Sequence, residues 1–172
     1  MRLGDAGIIK GFSDGTFGGE QKLTRQQAAT MITNMLKYTG MDTKVTDKVD
    51  FKDIDKISTS AQDSVKFLAS KGVLVNGEDV NFNPYNNITR AQTAKMIYRL
   101  LVKNGYKDQV NAVMSFSDVP TTDAELNKAA AQLKALGIMT GSNGKLNPNE
   151  PLTRDQMAKV LNNALQALEG LK

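Results

Sequence analysis

One spacing governs this chain of 172 residues. Gly7, Gly72 and Gly137 lie 65 and 65 residues apart, and Thr24, Thr89 and Thr153 lie 65 and 64 apart. Phe51 and Phe116 are separated by 65, as are Asp53 and Asp118, and Leu3, Leu68 and Leu133 each precede the recurring glycine by four. Self-similarity at a fixed long period marks repeated supersecondary units, each too small to bury its own apolar face and obliged to pack against its copies. Any fold for this sequence must therefore accommodate three equivalent units.

Each unit opens on "FKDI" or "FSDV" and runs through an amphipathic stretch to "GIIKG", "GVLVNG" or "GIMTG". A turn-rich segment follows, with Phe17, Phe82 or Leu146 near its end, and then Thr-Arg-x-Gln opens a long apolar-striped segment. The first copy lacks its opening Phe, which suggests a fragment of a larger protein. The repeats fall at residues 1–40 (partial), 51–105 and 116–170 of one domain spanning 1–172.

Local chemistry assigns the helices. Residues 58–71 and 123–136 carry apolar positions at helical spacing (Val65, Leu68, Ala69; Ala129, Leu133, Leu136) and stop at Gly72 and Gly137, where a left-handed glycine ends a helix. Asp123 suits the opening of the later one. The pairs Thr24/Gln27, Thr89/Gln92 and Thr153/Gln156 each form a capping box, with Leu23, Ile88 and Leu152 in the staple position ahead of it. The stripes that follow read Ala28, Met31, Ile32, Met35, Leu36; then Ala94, Met96, Ile97, Leu100, Leu101; then Met157, Ala158, Val160, Leu161, Leu165. Three such stripes can face one another. The predicted fold is mainly α: a pseudo-threefold assembly with a central three-helix bundle, short-helix lobes outside it and turn-rich loops. Asp-Gly and Asn-Gly pairs in those loops suit tight turns and small hairpins.

Composition excludes several function classes. Neither Cys nor His occurs, which removes thiol nucleophiles, His-based acid–base catalysis and the usual zinc sites. No apolar run approaches the roughly 18 residues of a membrane span, and no leader segment is visible at the start. A net charge of +4 without a dense basic block, and 6% aromatics without Trp, suit an anionic partner and give no stacking platform for nucleic acid. Carboxylates are plentiful, yet no pair stands out from the repeat background, so no catalytic residues, cofactor or metal site are assigned.

The arginine of Thr-Arg-x-Gln is the residue that helix physics leaves over. Arg25, Arg90 and Arg154 sit at the first helical position, where the macrodipole disfavours a cation by roughly 0.3–1 kcal/mol. Free amides at the same end attract anions, so a carboxylate held between amides and guanidinium would account for the placement. The alternative is packing: each Arg pairs with an acid of the neighbouring repeat, Asp53 and Asp118 being the available partners. Gly11, Gly77 and Gly141 carry the same two readings, as turn residues or as places where a missing side chain lets a sugar approach the backbone.

"GIIKGFSDGTF" followed by "LTRQQAATMI", three times over, resembles the S-layer homology module, across nearly the whole chain. That resemblance implies a pseudo-trimeric helical unit in an extracellular, cell-wall or S-layer setting. It implies non-covalent anchoring of a secreted bacterial protein to a secondary cell-wall polymer, often bearing ketal-pyruvate on an amino sugar. By position, the anion-binding Arg of the family motif falls on Arg25, Arg90 and Arg154. Here Gln27, Gln92 and Gln156 replace the motif's Glu, and the aromatic often found as Trp in the short helix is missing. Glu78 and Asp79 in the second loop would repel an anion beside Arg90, whereas "GSNGK" would leave Arg154 the friendlier site. Direct peptidoglycan binding and a protein–protein assembly module are the alternatives.

Overall fold

The computed structural model describes residues 19–172. Five α-helices run in the order α1 (Arg25–Tyr38), α2 (Thr59–Ser70), α3 (Arg90–Lys103), α4 (Ala124–Ala135) and α5 (Arg154–Gly170), with one 3-10 turn at Ile54–Lys56. Among the described residues the β-structure is confined to isolated bridges.

All three capping boxes form: Thr24, Thr89 and Thr153 accept from the amides of Gln27, Gln92 and Gln156, and each Gln side chain accepts in return from the Thr amide. Asp123 caps α4 by accepting from Leu126. The predicted stops also hold. Gly72 and Gly137 adopt φ of +76° and +73°, and the amides of Val73 and Ile138 reach back to the carbonyls of Leu68 and Leu133, the hydrogen bonding of a Schellman end.

Helices α1, α3 and α5 make the centre, with α5 touching both others, while α2 packs along α1 and α4 along α3. Each lobe thus joins the long helix of one repeat to the short helix of the next. The stripes read from the sequence are buried, except that Ala158 is half-buried and Ala164 and Leu168 extend the α5 face. On α4, Leu136 is half-buried, whereas Gln132 is buried and satisfied by Tyr106 and Gln109. Salt bridges Lys95–Asp123 and Arg99–Glu125 tie α3 to α4.

The three staple residues do more than fix helix entry. The Leu23 amide donates to the Leu152 carbonyl at 3.0 Å, Leu152 to Ile88 at 3.0 Å, and Ile88 to Leu23 at 2.9 Å. This closed ring of backbone hydrogen bonds lies among three side chains that are 0–1% exposed. It gives the pseudo-threefold arrangement a covalently unlinked but directional core.

Candidate functional site

The ring brings the start of each long helix against the turn-rich loop of another repeat. At α1, Arg25 donates its amide to Asn86 (2.8 Å) and Gln26 donates to Pro84 (3.1 Å). At α3, Arg90 donates to Glu150 (2.9 Å) and Ala91 to Pro148 (2.9 Å); at α5, Arg154 donates to Gln21 (2.9 Å) and Asp155 to Gly19 (3.0 Å). With the Thr hydroxyl taking the third amide, the first three amides of every long helix are occupied by protein. This corrects the expectation of free amides beside the arginines: an anion in these grooves cannot use them, because neighbouring carbonyls already satisfy the groups that a helix end leaves open.

The same carbonyls explain how a cation is tolerated at the first helical position. They offset the positive end of the dipole, and the guanidinium reaches away from it. Nε of Arg25 donates to the Phe82 carbonyl at 2.7 Å, and Nε of Arg90 donates to Leu146 at 2.6 Å. The Arg25 guanidinium also lies over the Phe82 ring, 5.0 Å from its centroid, a cation–π geometry. Burial lowers the pKa of both arginines, opposed at Arg25 by Asp53 and at Arg90 by Glu150 and then Asp118. Arg154 is likewise half-buried, with its pKa lowered by burial.

Asp53 and Asp118 do face the arginines of the preceding repeat, as the packing alternative supposed, but not as ion-pair partners. No salt bridge among the described residues joins Arg25 to Asp53 or Arg90 to Asp118. Asp53 instead accepts from the amides of Phe82 and Asn83, both at 2.8 Å, and Asp118 from Leu146 and Asn147, both at 2.8 Å. Arg and Asp therefore grip opposite ends of one residue: the acid takes the N–H of Phe82 while the base takes its C=O. Burial pushes the Asp53 and Asp118 carboxyls up, but the two amides and a nearby lysine outweigh it and hold both below the usual carboxylate range. Asn83 and Asn147, at φ +59° and +56°, supply the left-handed turn that points paired amides at each acid. The sequence showed Asp53 and Asp118 at the repeat spacing; the missing clue was a nearly constant separation from Phe82 and Leu146.

The loops are exchanged relative to the sequence expectation. Glu78 and Asp79 belong to the loop gripped by Arg25, not to one beside Arg90, and "GSNGK" meets Arg90, not Arg154. That pairing removes the argument from Glu78 and Asp79 for ranking Arg154 above Arg90. Asp155 has its carboxylate against Gly19.

Of the glycines, Gly11 lies outside the described residues. Gly77 donates its amide to Asp50 and has room for a methyl group, which would meet only Val80 at 3.4 Å. Gly141 has φ +71° and no such room, since a side chain there would strike the Lys145 carbonyl and the Phe116 ring. It starts a two-residue hairpin in which Ser142 and Lys145 exchange hydrogen bonds around Asn143 and Gly144, both left-handed, as a type I′ turn requires. Among the described residues no His, Cys, Asp and Glu cluster suits a metal, and no helix is long and apolar enough to cross a membrane.

Comparison with known proteins agrees with this repeat geometry. The family model for the S-layer homology domain matches residues 2–29, 50–94 and 115–158, one segment per repeat and more than half of the chain. The chain is 29% identical to the surface-layer 125 kDa protein of Lysinibacillus sphaericus over 98% of its own length and 14% of that protein's. It is 33% identical to the exoglucanase XynX of Acetivibrio thermocellus over 80% of this chain and 12% of the enzyme. It is 32% identical to a cellulosome-anchoring protein of Acetivibrio thermocellus over 66% of this chain and 24% of that protein. The chain thus spans less than a quarter of the length of each of these relatives. With one family segment on each of three copies, and those copies closed into a helical trimer of repeats, the chain belongs to the S-layer homology domain family.

Proposed function

We propose that this module holds its parent protein non-covalently to the bacterial cell wall by binding an anionic secondary cell-wall polymer in the grooves between repeats, without catalysis. The family places it at the cell surface, and relatives as different as a surface-layer protein, an exoglucanase and a cellulosome-anchoring protein share it as a minor part of their length. A module common to such unlike proteins suits attachment better than any one chemistry.

The observation that carries the reading is the state of Arg25 and Arg90. Each uses Nε to hold the neighbouring loop, and among the described residues its two terminal nitrogens have no hydrogen-bond partner. A guanidinium fixed at one edge presents its remaining N–H groups as a preorganised fork for a carboxylate, such as the ketal-pyruvate of an amino sugar. Arg154 is proposed for the same role in the third groove. Gly77 and Gly141 border the loops that the arginines grip and are proposed to keep the groove walls low enough for a saccharide; by its position in the sequence repeat, Gly11 is proposed for the same role. Several modest sites facing a repeating polymer gain apparent affinity by multivalency.

The test is co-sedimentation with purified cell-wall sacculi before and after removal of the non-peptidoglycan polymer. Binding that disappears with the polymer supports the reading. Equal binding to the stripped sacculus would show direct peptidoglycan recognition instead.

A further inference from the structure

The residue lying between the two carbonyls that cap each long helix differs from groove to groove. At α1 it is Tyr85, between Pro84 and Asn86; at α3 it is Asn149, between Pro148 and Glu150; at α5 it is Glu20, between Gly19 and Gln21. Tyr85 is 64% exposed. Its backbone is nevertheless well fixed, by the two capping hydrogen bonds that flank it and by the Asp53 clamp just upstream. An exposed ring on a rigid segment of the loop that Arg25 grips is not accounted for by packing.

The charges around the arginines differ in the same sense. The capping stretch at α1, Pro84–Tyr85–Asn86–Asn87, is neutral, and among the described residues the acid acting on Arg25 is Asp53, whose oxygens are engaged by two amides. At α3 the corresponding stretch includes Glu150, which is the larger of two acidic influences on Arg90. Glu78 and Asp79 lie upstream, in the turn closed by the hydrogen bond from Val80 to Gly77, and Glu78 faces Lys48 at 3.9 Å.

We infer that the groove at the start of α1 is a stronger saccharide site than the groove at α3, and that Tyr85 is its specificity-determining residue. Its ring offers a flat apolar face to a pyranose adjoining the anionic group held by Arg25. An aromatic side chain brings large contact area with few rotatable bonds, so fixing it on binding costs little. The groove at α3 has the same arginine but lacks the ring and carries a competing carboxylate. This inference rests on the polymer-binding reading above and adds to it which of these two grooves binds more strongly and what chemistry selects the sugar.

The experiment is calorimetric titration of the whole chain with a pyruvylated amino-sugar disaccharide, alongside co-sedimentation with polymer-bearing sacculi. Tyr85→Ala and Tyr85→Gln are each expected to weaken disaccharide binding roughly tenfold, with the thermal midpoint unchanged because the side chain is exposed. Tyr85→Phe is expected to restore binding, and Asn149→Ala, the matching change in the other groove, to leave it alone. If the parent protein binds and Tyr85→Ala binds equally well, the inference is wrong while the polymer reading stands. A loss in Tyr85→Phe as large as in Tyr85→Ala would assign recognition to the hydroxyl and overturn the ring. If the unaltered chain ignores both the disaccharide and the polymer, both readings fall.

Discussion

The grooves at α1 and α3 share one frame and differ in their lining. In both, a carboxylate takes two successive loop amides, an arginine takes the carbonyl between them, and two carbonyls from the same loop cap the helix. Within that frame Phe82 is replaced by Leu146, Tyr85 by Asn149 and Asn86 by Glu150. Phe82 also packs against Phe51 in a tilted pair, ring centroids 5.5 Å apart. In the other copy the ring equivalent to Phe51, Phe116, has Lys134 of α4 over it at 4.8 Å. The frame is made of backbone contacts and is indifferent to most side chains, so the copies can diverge in what they recognise without losing the way they pack.

The largest effects should come from breaking the frame, and they should be alike in the two grooves. Asp53→Ala and Asp118→Ala each leave two loop amides unsatisfied, at least partly away from water. Each should lower unfolding stability by about 3 kcal/mol, measured by urea denaturation. Markedly unequal losses would show that the two clamps are not energetic equivalents.

Next in size are the glycines, where the grooves should part company. Gly141→Ala forces a methyl group into a carbonyl and a ring at a left-handed backbone, and should cost roughly 2 kcal/mol. Gly77→Ala meets only Val80 at ordinary contact distance, but its φ of +157° is also rare for a residue with a side chain; it should cost about 1 kcal/mol, less than Gly141→Ala because the steric clash is missing. Thermal unfolding of the pair gives the comparison directly.

Acid sensitivity sharpens the shared part again. Asp53 and Asp118 have folded-state pKa values below those of the unfolded chain. Their stabilisation is therefore complete above the unfolded carboxylate value of about 3.9 and is lost as pH falls through the folded values. Stability should hold down to about pH 4 and then drop, and Asp53→Asn should blunt that drop. Undiminished acid sensitivity in Asp53→Asn would assign it to other carboxylates.

The smallest effect concerns the capping boxes. Gln27→Glu places a negative charge in the first turn of α1 and should add a few tenths of a kcal/mol. Gln92→Glu should gain less, because Glu150 borders the start of α3. Equal gains would argue that Glu150 has little influence there.

Much of this was readable beforehand, and the reason is locality. Capping boxes, glycine stops and apolar stripes are decided by residues within a turn or two of one another, so α1 to α5 follow from short stretches such as Thr89–Gln92 and Lys71–Gly72. The arginines are different. The sequence marked Arg25 and Arg90 as unexplained by their own helices, but their partners, Phe82 and Leu146, lie 57 and 56 residues away in the next copy. Equivalent positions recur at the same spacing in every copy, so periodicity alone cannot say whether a contact is made within a copy or between copies. The mistaken assignment of Glu78 and Asp79 to Arg90 came from assuming the former. The sequence offers Asp53 as a partner for Arg25, whereas its role as an acceptor depends on a left-handed Asn83 that turns two amides toward it.

The ring through Leu23, Ile88 and Leu152 has a consequence for how such a module can change over time. Open repeat arrays grow or shrink one unit at a time, because an added copy simply stacks on the end. Here each staple amide already has its acceptor, and each acceptor belongs to a different copy. A fourth copy would find no vacant edge, and a chain with two would leave a donor and an acceptor stranded in the interior. The unit that closes on itself is the trio, and within it the lining of each groove can vary while the ring is kept.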